Sequence, residues 1–181
     1  MAIISKIQAE GLHLIASSFL ALTSLTIGAN DSVNNIRRQI QSFVDKLQKD
    51  NQVHFGYPVG YSGKRETKNK YYKLFKRLES KATIEELVEL TNYKSPVIVV
   101  YAFEILKSRN YQGLKNIFLS HANDTAWYWT AGGCTGVLNR VNWFMLRRLR
   151  PIADQKNSLT NAEYDLFCGR FKKEDELFSC N

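Results

Sequence analysis

From Val33 onward the apolar positions fall at Ile36, Ile40, Phe43, Val44 and Leu47, intervals of three, four and seven that gather on one helical face. The spacing predicts an amphipathic helix over 32–49. The following stretch, QVHFGYPVGYSGKR, is punctuated by Gly56, Pro58, Gly60 and Gly63 and reads as a loop crossing the surface. A helix resumes at about Thr67. Its inner face carries Tyr71, Leu74, Phe75 and Leu78, while Lys70, Lys73 and Arg77 stand on the other.

Start and stop signals divide the rest of the chain. Thr83 with Glu86 three residues on is a capping box, which opens a short helix running from Ile84 to about Tyr93. Ser95 followed by Pro96 is a second start, because proline costs nothing in the first helical turn, where its missing amide has no partner. The apolar run VIVVYAFEIL then suits either a buried strand or a buried helix, and the start signal together with Ala102, Glu104 and Leu106 favours helix. Tyr111, Leu114, Ile117 and Phe118 mark another helix ending near Asn123. WYWTAGGC reads as a loop, and Leu138, Val141, Phe144, Met145 and Leu149 mark a longer helix halted by Pro151. A second capping box, Thr160 with Glu163, opens a last helix over about 161–173, flanked by Leu159 and Tyr164 as a hydrophobic staple. The KKEDE run and the tail to Asn181 read as frayed. The expected fold is all-α, five to seven helices in antiparallel pairs, arranged as a short α-solenoid or an irregular bundle.

The segment SPVIVVYAFEIL resembles the second helix of a HEAT-like repeat, with Pro96, Ile98, Ala102 and Leu106 at the matching positions over about residues 83–120. Val99 stands where that family carries arginine and Asn92 near where it carries aspartate, which interrupts the usual ladder between repeats. No second copy recurs at the period of roughly 40 residues. The resemblance implies a binding scaffold that presents a curved surface and carries no chemistry of its own.

Composition narrows the class. The chain has 181 residues, 44% hydrophobic and 23% charged, which suits one folded domain and excludes bulk disorder. Residues 14–30, LIASSFLALTSLTIGAN, hold no charge and follow Lys6, so residues 1–29 read as a secretory signal peptide ahead of one helical domain over 30–181. Glu10 and the bulk of Ile27 argue for the alternative, an amphipathic or buried first helix. The stretch is too short and too rich in Ser and Thr for a membrane span of about 20 apolar residues. Export would place the mature chain in the periplasm or outside the cell, and retention would leave it cytoplasmic. Cys134, Cys168 and Cys180 make an odd, widely spaced set that fits neither a disulfide framework nor a zinc site, although an exported chain could join one pair. The net charge of +8 favours anionic partners without naming one.

Candidate chemistry is sparse. Gly60, Gly63 and Lys64 approach a phosphate loop, but Pro58 and Arg65 occupy positions that must be Gly and Ser or Thr. Gly-Tyr-Ser-Gly is similar to the nucleotide-clamping loop of KH domains, yet Glu66 and Lys68 follow where apolar positions are needed. Over 64–81 eight cations interleave with Tyr71, Tyr72 and Phe75, a pattern that serves either a solvated face or a nucleic-acid grip. Arg140, Arg147, Arg148 and Arg150 form a second cluster, which joins the first only if the two helices pack side by side. Trp127, Tyr128 and Trp129 either lid the core or supply binding energy at an interface. Cys134 with His121 and Asp124 would make a nucleophilic triad, against the simpler reading of a small buried cysteine. His13, His54 and His121 lack ligand spacing, so no metal, cofactor or catalytic residue is expected. The leading expectation is a non-enzymatic interaction module whose binding residues are Lys70, Lys73, Arg77, Trp127, Trp129 and Arg147. Its partner would be a protein, and the net charge favours an acidic one. Nucleic acid gripped by the 64–81 segment is the second reading and an enzyme built on Cys134 a distant third.

Overall fold

The computed structural model describes residues 36–59, 64–65, 67–132, 135–152 and 157–180. All lie in one compact unit, Asp31–Asn181. The signal-peptide reading of residues 1–29 falls outside the described residues. In chain order the elements are α1 (Arg38–Leu47), β1 (Gln52–Val53), β2 (Pro58–Val59), β3 (Lys64–Arg65), α2 (Lys70–Lys81), α3 (Ile84–Leu90), α4 (Pro96–Ser108), α5 (Leu114–Ser120), β4 (Trp127–Gly132), β5 (Thr135–Arg140), α6 (Val141–Arg148) and α7 (Asn161–Glu174). The domain is therefore mostly helical, with a three-stranded sheet ordered β1-β4-β5 and a separate β2-β3 pair.

Helix α4 is the axle. Val97 through Phe103, with Ile105 and Leu106, are all buried, so an apolar run with no polar face is covered on every side. Pro96 sits in its first turn, although the Ser95 side chain makes no capping bond. α3 and α6 pack on α4 most extensively, and α1, α5, β1 and β4 close around it. α1 lays Ile40, Val44 and Leu47 against α2, which turns Phe75 and Leu78 inward.

Both capping boxes form. The Thr83 hydroxyl accepts from the Glu86 amide at 3.2 Å while the Glu86 carboxylate accepts from the Thr83 amide at 2.8 Å. Thr160 and Glu163 repeat the exchange at 3.3 and 3.0 Å. Each carboxylate has a second, distant partner. Glu86 holds the Arg37 guanidinium bidentately at 2.8 and 2.7 Å, and Glu163 accepts from Lys115 at 2.6 Å. These pairs hold the carboxyls of Glu86 and Glu163 down to about 2.

Three sequence expectations give way. Within WYWTAGGC, residues Trp127–Gly132 are strand, not loop: they pair antiparallel with Thr135–Arg140, in register from Trp127 opposite Arg140 to Gly132 opposite Thr135. Aromatic and β-branched residues fit a pleated, half-buried surface, and Asn51 supplies a carbonyl to the Trp129 amide at 2.8 Å, extending the ladder to β1. Leu138 consequently belongs to β5, and α6 begins only at Val141. The 52–65 stretch contributes short strands as well as loop. The tail beyond α7 is also packed, because Phe178 is buried against Trp143 and Phe171 and a Cys168–Cys180 disulfide ties residue 180 back to the helix.

Candidate functional site

The β4-β5 hairpin sorts its side chains by the two-residue alternation of a strand. Tyr128 and the opposing Asn139 point into the domain and are buried, whereas Trp129 and the opposing Leu138 are 46% and 40% exposed. Val137, further from the core, is 50% exposed. The Trp129 ring lies over Gly136, where an added Cβ would come within 3.3 Å of it, so glycine there leaves the indole flat on the sheet. β5 is the edge strand, and its neighbour on the other side is β4. On the outer face the aromatic ring of Trp129, on the central strand, and the aliphatic Leu138, on the edge strand, thus stand side by side, an arrangement that suits binding another surface.

Behind the hairpin, arginines face inward. Arg140 lies against both Trp127 and Trp143, 4.5 and 4.8 Å from their ring centres, and is bonded to Asp175 at 2.5 Å. Trp127 is accordingly a lid over the core and Trp129 an outward contact. Arg148 pairs with Glu104 at 2.8 Å, donates to the Tyr57 hydroxyl at 2.7 Å and lies over Phe144. Arg147 donates to the Asn139 side-chain oxygen at 2.9 Å and lies over Phe178. Between Tyr57, Tyr128, Thr130, Asn139 and the two arginines is a cleft of about 170 Å³. Gly56, at φ +74°, bends the chain so that Tyr57 reaches this cleft, and any side chain at 56 would strike the Tyr72 ring. Burial pushes the Tyr128 hydroxyl far above its ordinary range and pulls the Arg147 guanidinium down, while at Arg148 the carboxylate of Glu104 and the Tyr57 hydroxyl outweigh burial and raise it.

The remaining predicted residues lie elsewhere. Lys70, Lys73 and Arg77 are exposed on the outer face of α2. α2 packs on α1, whereas α6 packs on α4, α5 and α7, so the helices bearing the two cationic clusters have different packing partners. Phe55 bridges them, edge-on to Phe75 of α2 and stacked on Phe144 of α6. His121 meets Asp124 at 3.0 Å, and although burial opposes it, the bonds from His121 and the Ala126 amide lower the Asp124 carboxyl. Cys134 lies outside the described residues. His54 is fixed by Asp50 and Asn69, each at 3.3 Å, and stacks on Tyr71, which makes it part of the core. A larger hollow of about 400 Å³ beside Arg37, Glu85 and Glu89 is built around the Arg37–Glu86 pair that joins α1 to α3. Among the described residues no group of three or more His, Cys, Asp or Glu side chains could hold a metal, and no helix is long and apolar enough to cross a membrane.

Sequence reasoning did not single out Leu138, Val137, Asn139 or Tyr57 as site residues, and it named Arg148 only within the second cationic cluster. The alternation that reveals the first three was present from Trp127 to Thr130, but two consecutive glycines and a plausible helical stripe through Leu138 and Val141 concealed it. The class these features define is a mostly helical domain with an exposed aromatic hairpin. No protein-family model, curated protein or solved structure matches the chain.

Proposed function

We propose that this chain is a non-enzymatic interaction module that binds an acidic protein partner through the outer face of the β4-β5 hairpin. The observation that carries the reading is the cross-strand pair Trp129 and Leu138, exposed together on the outer face of the hairpin. Large aromatic side chains of this kind supply much of the energy at protein interfaces. The net charge of +8 and the exposed Lys70, Lys73 and Arg77 favour an acidic partner and speed its encounter. The Cys168–Cys180 disulfide supports an exported location, where such bonds persist, together with the signal-like residues 1–29. The α3-α4 pair serves as scaffold in the manner its resemblance to a HEAT-like repeat implies. Affinity isolation with the wild type and with Trp129→Ser/Leu138→Ser tests the reading. One acidic protein retained by the wild type and lost by the double variant is expected, and equal recovery by both would refute it.

Nucleic-acid binding is the second reading, favoured by the row Lys70, Lys73 and Arg77 on one exposed face. It predicts that the hairpin variant binds as well as the wild type and that Lys70→Ser/Lys73→Ser/Arg77→Ser does not.

A further inference from the structure

We propose that the cleft between the hairpin and α6 is a binding site for a phosphate group, held chiefly by Arg147. Glu104 already neutralises Arg148. Arg147, by contrast, lines the same cleft and takes part in none of the ion pairs among the described residues; its one side-chain hydrogen bond there is to the neutral Asn139, and its Nε is buried without a hydrogen-bond partner. An incompletely satisfied cation in a partly buried place is costly, and it is stabilised by an anion entering the cavity beside it. The positive charges of Arg147 and Arg148 on consecutive residues reinforce that demand.

The surroundings specify the anion. Tyr57 accepts from Arg148, which leaves its own hydroxyl proton to donate to a ligand. Asn139 cannot compete for the site, because its oxygen accepts from Arg147 while its amino group donates to Thr130 at 3.2 Å, so it positions the guanidinium. The donors come from the 54–57 segment and from α6, on different sides of the cleft, which suits the spread oxygens of a tetrahedral oxyanion. A guanidinium fork matches phosphate geometry. The cavity of about 170 Å³ has room for several waters, hence for a phosphate with a small substituent, and is far too small for a nucleic-acid strand.

Isothermal titration of the full chain with inorganic phosphate and with phenyl phosphate, at constant ionic strength against chloride, tests the inference. Saturable one-to-one binding with Kd of about 1 mM or tighter is expected. Arg147→Gln should weaken it at least about tenfold, Arg147→Lys less, and Tyr57→Phe several-fold, as charge-assisted bonds are lost. Tyr57 is 40% exposed, so its variant keeps the test valid should Arg147→Gln fail to fold. Lys70→Ser/Lys73→Ser/Arg77→Ser should leave binding unchanged. Absence of saturation, or undiminished binding by both Tyr57→Phe and a folded Arg147 variant, or loss only in the α2 triple variant, would overturn the inference. Co-sedimentation with phosphatidylcholine vesicles, with and without phosphatidic acid, assigns the source. Pelleting that requires phosphatidic acid and Arg147 identifies a lipid headgroup, and binding of phosphate without pelleting identifies a free phosphate. The hairpin variant Trp129→Ser/Leu138→Ser should titrate like the wild type, which separates this site from the partner surface.

Discussion

Replacing Glu86 with Gln removes one negative charge while keeping the shape of a side chain that ties the start of α1 to the start of α3. The Glu86 carboxylate accepts from the Arg37 amide at 3.1 Å, from Arg37 Nε and Nη2 at 2.8 and 2.7 Å, and from the Thr83 amide at 2.8 Å. The side chain is only 5% exposed, so water cannot replace these partners. Its carboxyl is lowered from 4.5 to about 2, chiefly by the bond to Arg37. Taken at face value that shift corresponds to about 3 kcal/mol, but Arg37 is 52% exposed and solvent screens the pair, so we expect Glu86→Gln to cost about 2 kcal/mol at pH 7. The sign with pH follows from the depressed value. The unfolded carboxyl takes up a proton near 4.5 and the folded one only near 2, so the stabilisation is complete above about pH 5 and fades as pH falls between them. Urea unfolding of both proteins at pH 7 and pH 3 measures the difference. It should shrink towards zero in acid, and because Glu163 is unchanged in the comparison, its own titration cancels. A difference equal at both pH values, or a variant as stable as the wild type at pH 7, would refute the assignment of Glu86 as a charged tie.

Other outcomes follow from burial and covalent linkage. Phe103→Ala and Leu106→Ala, both at fully buried positions of α4, should each cost roughly 2–5 kcal/mol in chemical unfolding, whereas exposed Lys73→Ala should change stability hardly at all. Reducing Cys168–Cys180, which closes a loop of sequence separation 12, should lower stability by about 3 kcal/mol, and alkylation followed by mass measurement should find two more reactive thiols after reduction than before. Fluorescence anisotropy with labelled duplex DNA should give at best weak binding, worse than roughly micromolar at physiological salt; sub-micromolar binding lost in Lys70→Ser/Lys73→Ser/Arg77→Ser would reverse the order of the two functional readings.

Much of the helical frame was legible because local signals agreed. The stripe through Ile40, Val44 and Leu47, the capping boxes at Thr83 and Thr160, and the proline start at Pro96 each depend on residues within one or two turns of each other. The sheet was illegible for the opposite reason. Trp129 becomes a strand residue partly through Asn51, and the hairpin face is defined by the register of Leu138 against Trp129. Of the candidate site residues, Lys70, Lys73 and Arg77 were placed on an outer face by periodicity alone. Trp127 and Trp129, close in sequence and chemically alike, could be told apart only once Arg140 was found over the ring of the first and Trp143 edge-on to it. The cationic cluster at 140–150 looked like a patch, but Arg140, Arg147 and Arg148 each turn towards aromatic rings, and Arg140 and Arg148 are held by distant partners, Asp175 and Tyr57. The tail read as frayed from its charges, although Phe178 and Cys180 were the cues that it packs.

The claim that the hairpin is a protein-binding surface is tested most directly by photo-crosslinking from residue 129. A benzophenone amino acid placed there in producing cells should yield one dominant protein adduct, competed by added wild-type protein but not by Trp129→Ser/Leu138→Ser. The same group placed at Leu166, which is 70% exposed on α7, should give none of that adduct. Adducts equal at both positions, or none from 129 in cells that make the folded protein, would contradict the account.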